Sequence, residues 1–583
     1  MRTQSSASSA YSSLVSTTQD TIRSFSPGGR VLFYFFSLLL VVSSTALLYL
    51  LNARLLVEMP TRGGSFTEGV IGAPRFINPV LAVSDADRDL TTLVYSGLLK
   101  ASPQGGYIPD LASSYTISPD GKTYTFTLRP NAKFEDGTLV TADDVVYTIQ
   151  ETQDPVLKSP EQANWSGIVV QKVDEHTISF SLKQAYAPFI ENLTMGILPK
   201  HLWQNVSDDE FPYSDLNTEP VGSGPFKVDS LSRTSSGVPS SYKLVGSHYY
   251  ALQRPYLSDI TFHFYQNEDD LIDGLKKGEV SAASGISPSR LSEVSGHMID
   301  RAPLNRVFGV FFNQNQSAVL RDSAVRNALN EAINRDELVQ QVLGGYGAPL
   351  AGPLPPSVLP SNFITTTSSA NTADLVARAK SDLLAAGWQP GPGGILQKTT
   401  GSGKSVTTQP LTFSISTGNV PELRAAAEYL RKTWGEVGAQ VSVQVYDQGD
   451  LAQNVIRPRK YDALLFGEVI GREPDLFAFW SSSERLDPGL NIAMYANASI
   501  DKLLSQLRAT TDETQKSALY QQFTTAVLKD DPAVFLYAPD FVYIVPKDIA
   551  GLDLGFIETP SDRFLSVTNW HRETDKVWPL FAR

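Results

Sequence analysis

Hydrophobic and polar positions follow three different patterns along the 583-residue chain, and each predicts a different element. Near the front, residues 31–51 read VLFYFFSLLLVVSSTALLYLL, an uncharged apolar run between Arg30 and Arg54. At about 1.5 Å per residue this run reaches roughly 30 Å, the thickness of a hydrocarbon core. No polar face interrupts it, so it predicts a membrane-spanning helix over 31–52 rather than a core helix. It is also longer than the apolar stretch of an ordinary signal peptide, so an uncleaved anchor is expected. Residues 1–30, rich in Ser and Thr, form the expected flexible tail, placed on the cytoplasmic side. Arg23 and Arg30 precede the span and Arg54 and Arg62 follow it, so charge sets the orientation only weakly.

A period of two marks strands. SYTISPDGKTYTFTLRP (114–130) alternates on both sides of Asp120-Gly121 and predicts a hairpin. Val169 to Leu182 alternates through Ile178 and Phe180 and reads as further strand. LTFSIST (411–417), AQVSVQV (439–445) and YDALLFGEV (461–469) read the same way.

A period near 3.6 marks helices. Val325, Ala328, Leu329, Ala332 and Ile333 form one apolar stripe, with Asp322 as N-cap. Thr141 and Asp144 resemble a capping box at the start of another helix. A helix follows Thr372 and stops at Gly387. Pro421 begins a helix with Leu423, Ala426, Ala427, Leu430 and Trp434 on its apolar face, ending at Gly435. Strand, helix and strand over 411–445 predict a parallel α/β unit. Residues 232–242 and 389–405 read as loops, and no internal repeat is visible.

Composition narrows the classes. The net charge is −13. Residues 1–54 carry four arginines against one aspartate, so the acid excess lies entirely in the body. Such a body repels phosphate backbones, which excludes nucleic acid as a partner. The chain has no cysteine, hence no disulfide, thiolate metal site, cysteine nucleophile or lipid-modified cysteine.

The search for chemistry is largely negative. No two of the six histidines stand four apart, and no G-x-S-x-G elbow occurs. His263 sits among phenylalanines on an expected strand and reads as a structural residue. Gly403-Lys404-Ser405 looks like the end of a phosphate loop but lacks its glycine at 398, which is Lys398. Asp143-Asp144 and Asp269-Asp270 read as solvated helix starts. Neither a metal site nor a cofactor is expected. The many aromatics suit a pocket that holds a small ligand without reacting with it.

Five segments carry a resemblance. SPDGKTYTFTLRPNAKFEDGTLVTADDVVYT (118–148) resembles the signature of the family 5 extracellular solute-binding proteins, the binding components of peptide-type ABC importers. GSFTEGVIGAPRFINPVLA (64–82), VGSGPFKV (221–228), the segment 307–339 and EPDLFAFWSS (473–482) are similar to further family motifs. The resemblance covers residues 60–583. It implies an α/β fold: a two-lobed clamshell of the periplasmic-binding-protein type 2 kind, preceded here by the transmembrane helix. Lobe I would take residues 60–310, with an extra subdomain at about 96–214. Lobe II would take 311–535, and 536–583 would return to lobe I.

It further implies a peptide or similar small solute enclosed between the lobes, and the permease subunits of an ABC importer as partners. The body would lie on the extracytoplasmic face of the cytoplasmic membrane, with the N-terminal span in place of a lipid anchor. Peptide binders of the family carry an aspartate three residues before an acidic-Pro dipeptide. Here the dipeptide is Glu473-Pro474 and that position is Ile470, which cannot neutralise an ammonium, so either Glu468 takes over or the ligand has no free amine there. The other candidate ligand contacts are Phe66, Glu68, Gly222, Gly224, Asn313 and Trp480. Alternatives are the same fold with a nickel chelate, haem, opine or sugar, a sensor or scaffold with a degenerate cleft, and a surface peptidase.

Overall fold

A computed structural model describes residues 16–17, 19–356, 358, 370–401 and 406–579. Ser5, Ser6, Ser8 and Ser9 of the tail, and Gly403-Lys404-Ser405, lie outside them. The chain divides into two units, residues 1–61 with 573–583, and residues 62–572.

The first unit holds the 29-residue helix Pro27–Leu55, started by the Ser26 hydroxyl, which accepts from the Gly29 N–H. Its apolar side chains are exposed on every side, and the stretch Pro27–Asn52 has a mean hydropathy of 2.3. It is the one helix among the described residues long and apolar enough to cross a bilayer. Val57–Pro60 then pairs antiparallel with Thr574–Val577.

The second unit is built on one continuous path of strands that serves two lobes. The path runs Gln440–Tyr446, Thr412–Gly418, Ala463–Val469, Arg306–Phe312, Ala533–Val545, Ala282–Ser284, Ser65–Ile71, Asp259–Tyr265, Pro239–Gly246, Phe226–Arg233. Ala533–Val545 belongs to both halves. Residues 533–537 pair with Arg306–Phe312, and 540–545 pair with Met298–Pro303. The two crossings between lobes therefore lie side by side, at Leu304–Arg306 and Ala538–Asp540.

In the second lobe, Thr412–Gly418 and Gln440–Tyr446 are parallel and joined by the helix Pro421–Val437. The helix outruns its expected end at Gly435 and stops at Gly438, whose φ of +114° suits glycine. Val437 is buried, so the apolar stripe continues past Gly435, which faces open space. Asp322 caps Ser323–Glu331 as expected, its carboxylate accepting from the Ala324 N–H. The helix Thr372–Ala385 also matches.

The first lobe carries an extra four-stranded sheet, ordered Ala112–Ile117, Thr123–Leu128, Thr177–Ser181, Val169–Lys172. The hairpin at Asp120-Gly121 is present, with Gly121 at φ +67°. Thr141 and Asp144 form the capping box. Residues 169–182 are not one strand but a hairpin, because the Asp174 carboxylate binds the His176 N–H and turns the chain. Two expected loops contain strand among their described residues. Residues 232–242 lie mostly in the hairpin Phe226–Arg233 with Pro239–Gly246, turned at Gly237 (φ +84°). Residues 389–405 contribute Gln389–Pro390 and Leu396–Thr400 to a three-stranded sheet with Thr407–Pro410. Polar side chains misled both readings: strands with a solvated face tolerate them.

Candidate functional site

The two lobes meet around a cavity of about 610 Å³. Its first-lobe wall comes from the end of the helix Asp85–Val94, the Tyr107–Asp110 segment, the short helix Phe189–Asn192 and the stretch Glu558–Leu565. The second lobe supplies Val469, the Gly471–Glu473 turn, Asp475, Ala478 and Phe479.

Each wall is fixed locally. A Ser84/Asp87 capping box starts the helix that ends at Tyr95, and the Asp87 carboxylate also accepts from the Phe76 N–H at 2.9 Å. Thr559 and Asp562 make a second capping box at the head of Pro560–Asn569. In the second lobe, Asn305 receives the Ile470 N–H at 2.9 Å and donates from its amide to the Ile470 and Gly471 carbonyls. That grip turns the chain out of the strand Ala463–Val469 and delivers Arg472 into the first lobe.

The Arg472 guanidinium is received there entirely. It pairs with Asp562 at 2.9 Å and donates to the Ser102 carbonyl at 2.9 Å and the Phe556 carbonyl at 2.6 Å. The Arg472 N–H meets the Glu191 carboxylate at 3.3 Å. A second cross-lobe link joins the Tyr186 hydroxyl to Asp475 at 3.3 Å, and the Ala187 N–H to the Arg508 carbonyl at 2.9 Å.

The cavity wall is polar and incompletely bonded. Thr91 Oγ1, the Tyr95 and Tyr107 hydroxyls, Asp110 Oδ1 and Ser561 Oγ are buried without a hydrogen-bond partner, and all five residues line the cavity. Orphaned buried polar atoms cost about 1–3 kcal/mol each, so their gathering around one void suits it to polar partners, whether solute or water. Burial raises the Asp110 carboxyl to about 6 despite the nearby Lys100 ammonium. Glu558 is raised well above its ordinary value by burial and by the charge of Glu191, with which it shares a hydrogen bond. Burial also raises Glu191. Among the described residues no three His, Cys, Asp or Glu side chains are grouped to hold a metal ion.

None of the eight residues expected to contact a ligand lines this cavity. Phe66 is fully buried in the first-lobe core, with its ring 5.3 Å from that of Trp570. Glu68 is fully buried in an ionic cluster: Arg563 donates to it at 3.0 and 3.1 Å and to Asp89 at 2.8 Å, and the Tyr543 hydroxyl donates to it at 2.7 Å. Gly222 and Gly224 are glycine for close packing, not for ligand contact. A Cβ on Gly222 would lie 1.9 Å from the Val94 carbonyl oxygen, and one on Gly224 2.5 Å from that of Leu93. Asn313 caps a turn, accepting from the Asn315 and Gln316 N–H groups and donating to the Arg459 carbonyl. Trp480 is core, ringed by Phe311, Tyr495, Phe523 and Phe535.

Glu468 and Ile470 point the same way, into the second-lobe core, because residues two apart on a strand share a face. Glu468 is buried with neither carboxyl oxygen bonded, and burial alone raises its carboxyl well above its ordinary value. The cavity face belongs to the intervening register, Val469 and Gly471. Arg472, Glu191, Glu558, Asp110, Tyr95 and Tyr107 do line the cavity and were not singled out from the sequence. One signal was available: the charged run Arg472-Glu473 follows an apolar strand at once, as where a chain leaves a core.

Comparison with known proteins agrees with this geometry. The model of the middle region of the bacterial extracellular solute-binding proteins, family 5, matches residues 106–485. The oligopeptide-binding protein AppA of Bacillus subtilis is 27% identical over 512 residues, covering 86% of this chain and 91% of that protein. The solved structure of AppA in complex with a nonapeptide superposes with a TM-score of 0.66 at 25% identity, covering 88% of this chain and 99% of that one. The ABC transporter substrate-binding protein CtaP of Listeria monocytogenes superposes with a TM-score of 0.73 at 25% identity, covering 88% of this chain and 100% of that one.

Proposed function

This chain belongs to the bacterial extracellular solute-binding proteins of family 5, and from that premise we propose that it captures a peptide or similar small solute between its lobes and hands it to the permease subunits of an ABC importer. The observation that carries this reading is the set of five buried, unpartnered polar groups around the cavity. A solute that supplies their missing hydrogen bonds converts an energetic debit in the empty site into binding free energy. An extended peptide is well matched, because it presents donors and acceptors along its length. The oligopeptide-binding relative in Bacillus subtilis, and the nonapeptide in its structure, support the same class.

In this reading the protein performs no chemical step and delivers its cargo intact. The helix Pro27–Leu55 anchors it in the cytoplasmic membrane, with the body on the extracytoplasmic face. In this reading the expected bounds of 60–310 for lobe I and 311–535 for lobe II move to the changes of strand pairing at 304–306 and 538–540, with the extra subdomain at about 96–214. Solute favours the closed arrangement of the lobes by binding it better than the open one.

The test is thermal denaturation of the detergent-solubilised full chain with a panel of di- to nonapeptides, alongside native mass spectrometry for a co-purified solute. A ligand at 100 times its Kd adds about 2.7 kcal/mol to the folded state. If no peptide shifts the transition at millimolar concentration and nothing co-purifies, the reading is wrong.

A further inference from the structure

The cavity wall holds more acid than base, and two of the acids that lack a cation, Glu191 and Glu558, interact with each other. Asp562 has Arg472, Asp475 has Arg508 at 2.5 Å, and Glu473 has Lys516 at 2.8 Å. Asp110 faces Lys100, and Glu161 accepts from the Asn164 amide at 2.8 Å. Glu191 and Glu558 have each other. The nearest cation, Arg472, spends its guanidinium N–H groups on Asp562 and two carbonyls and offers Glu191 only its backbone N–H. Two half-buried carboxyls that interact closely resist ionising together without a counter-charge. Burial and the charge of Glu191 raise the Glu558 carboxyl, and burial raises that of Glu191, the direction in which a carboxyl pair without a cation retains a proton.

A second observation points to a ligand at this spot. Ser561 is 3% exposed and its hydroxyl has no partner, and the Tyr107 hydroxyl has none either. Both line the same cavity, and Tyr107 lies within the field of Glu191, Glu473, Glu558 and Arg472. Two carboxyls and two hydroxyl oxygens thus present acceptors, and the Arg472 backbone N–H is the one N–H recorded on them among the described residues.

Building on the solute-binding reading above, we propose that Glu191 and Glu558, flanked by Ser561 and Tyr107, form the subsite that seats a cationic nitrogen of the solute, an ammonium or a guanidinium. On binding, the cation replaces the shared proton, which leaves to solvent, and both carboxylates then accept charge-assisted hydrogen bonds from it. The charged groups facing the pair are Glu473 and Arg472 from the second lobe and Asp562 and Tyr107 from the first. Of these, Arg472 and Asp562 neutralise each other and Glu473 is held by Lys516, so none supplies the missing charge.

Four tetrapeptide amides test this by titration calorimetry on the detergent-solubilised full chain. They are tetra-alanine with a free amine, its N-acetyl form, and N-acetyl forms carrying one lysine or one glutamate. The free-amine and lysine peptides should bind at least about tenfold tighter than the acetylated neutral peptide, and the glutamate peptide weakest. The two cationic arms separate a terminal ammonium from a side-chain ammonium. Titrations at pH 7 in buffers of different ionisation enthalpy should show about one proton released per cationic peptide bound, and less in Glu558→Gln. In Glu558→Gln the preference for cationic peptides should collapse, while Glu428→Gln, at an exposed position of the helix Pro421–Val437 outside the cavity, should keep it. If Glu558→Gln does not fold, Glu191→Gln takes its place. Equal binding of the neutral, acidic and cationic peptides, or a cationic preference and proton release that survive both glutamine variants, overturns the subsite and leaves the solute-binding reading standing. Absence of binding by all four overturns the subsite as well, and the solute-binding reading falls only if the di- to nonapeptide panel and the search for a co-purified solute also fail.

Discussion

Replacing Arg472 by alanine should open the protein. Its side chain is 4% exposed, rises from the second lobe and bonds only to first-lobe groups: the Asp562 carboxylate and the carbonyls of Ser102 and Phe556, with the Phe556 ring 4.7 Å away. A hydrogen bond between neutral partners contributes about 0.5–1.5 kcal/mol net, and one to a charged partner about 1.5–3. Opening rehydrates every group involved, so the gross sum is not recovered. A net loss of about 3 kcal/mol from the closed arrangement is the reasonable size. That is roughly a hundredfold in the closed-to-open ratio.

The lobes themselves should survive the change. Asp562 remains satisfied, because its carboxylate also accepts from the Glu558 N–H at 2.9 Å. Spin labels or fluorophores, one on each lobe, should report a longer interlobe distance in solute-free Arg472→Ala, with an unchanged denaturation midpoint for the helical signal. Affinity should fall in step, since apparent Kd scales inversely with the fraction in the binding-competent form. An unaltered interlobe distance, with affinity also unaltered, would show that the lobes are held by something else and that the latch assignment is wrong.

Three further outcomes follow from the packing. Arg563→Met should cost about 3–5 kcal/mol in urea denaturation, because it strands Glu68 and Asp89 in the core without their cation; a loss under about 1 kcal/mol would contradict that. Gly222→Ala should give little soluble protein, since its Cβ would sit 1.9 Å from the Val94 carbonyl oxygen, and a normal melting temperature would refute the close-packing role. Asp110 has a carboxyl raised from 3.8 to about 6, so the folded state holds its proton more tightly than the unfolded. Stability from this group is present below about pH 4 and is lost as pH rises to about 6, by an amount on the order of 3 kcal/mol. Asp110→Asn should therefore flatten the fall in unfolding free energy between pH 4 and pH 7, and an unchanged slope would exclude Asp110 as its source.

The sequence by itself determined what depends on neighbours along the chain. The Asp120-Gly121 hairpin, the Thr141–Asp144 and Asp322 caps and the apolar stripe from Leu423 to Trp434 each follow from contacts within a few residues, and each is in place. The long uncharged run before Arg54 fixed a helix of bilayer length, and five motif segments identified the family. Two stretches rich in Ser, Thr and Gly, at 232–242 and 389–405, misled because a strand with one solvated face has the composition of a loop.

The tertiary structure decided which side chains meet. Arg472, Glu191 and Glu558 come from three distant segments, and only the joining of two lobes across Ala533–Val545 brings them to one cavity. Strand parity decided the rest. Glu468 and Ile470 had the right neighbourhood but the wrong face, because a shift of one residue exchanges core for cleft. Glu68 had a fitting charge for a ligand contact, yet a buried carboxylate must find a cation, and Arg563, almost five hundred positions away, already supplies it.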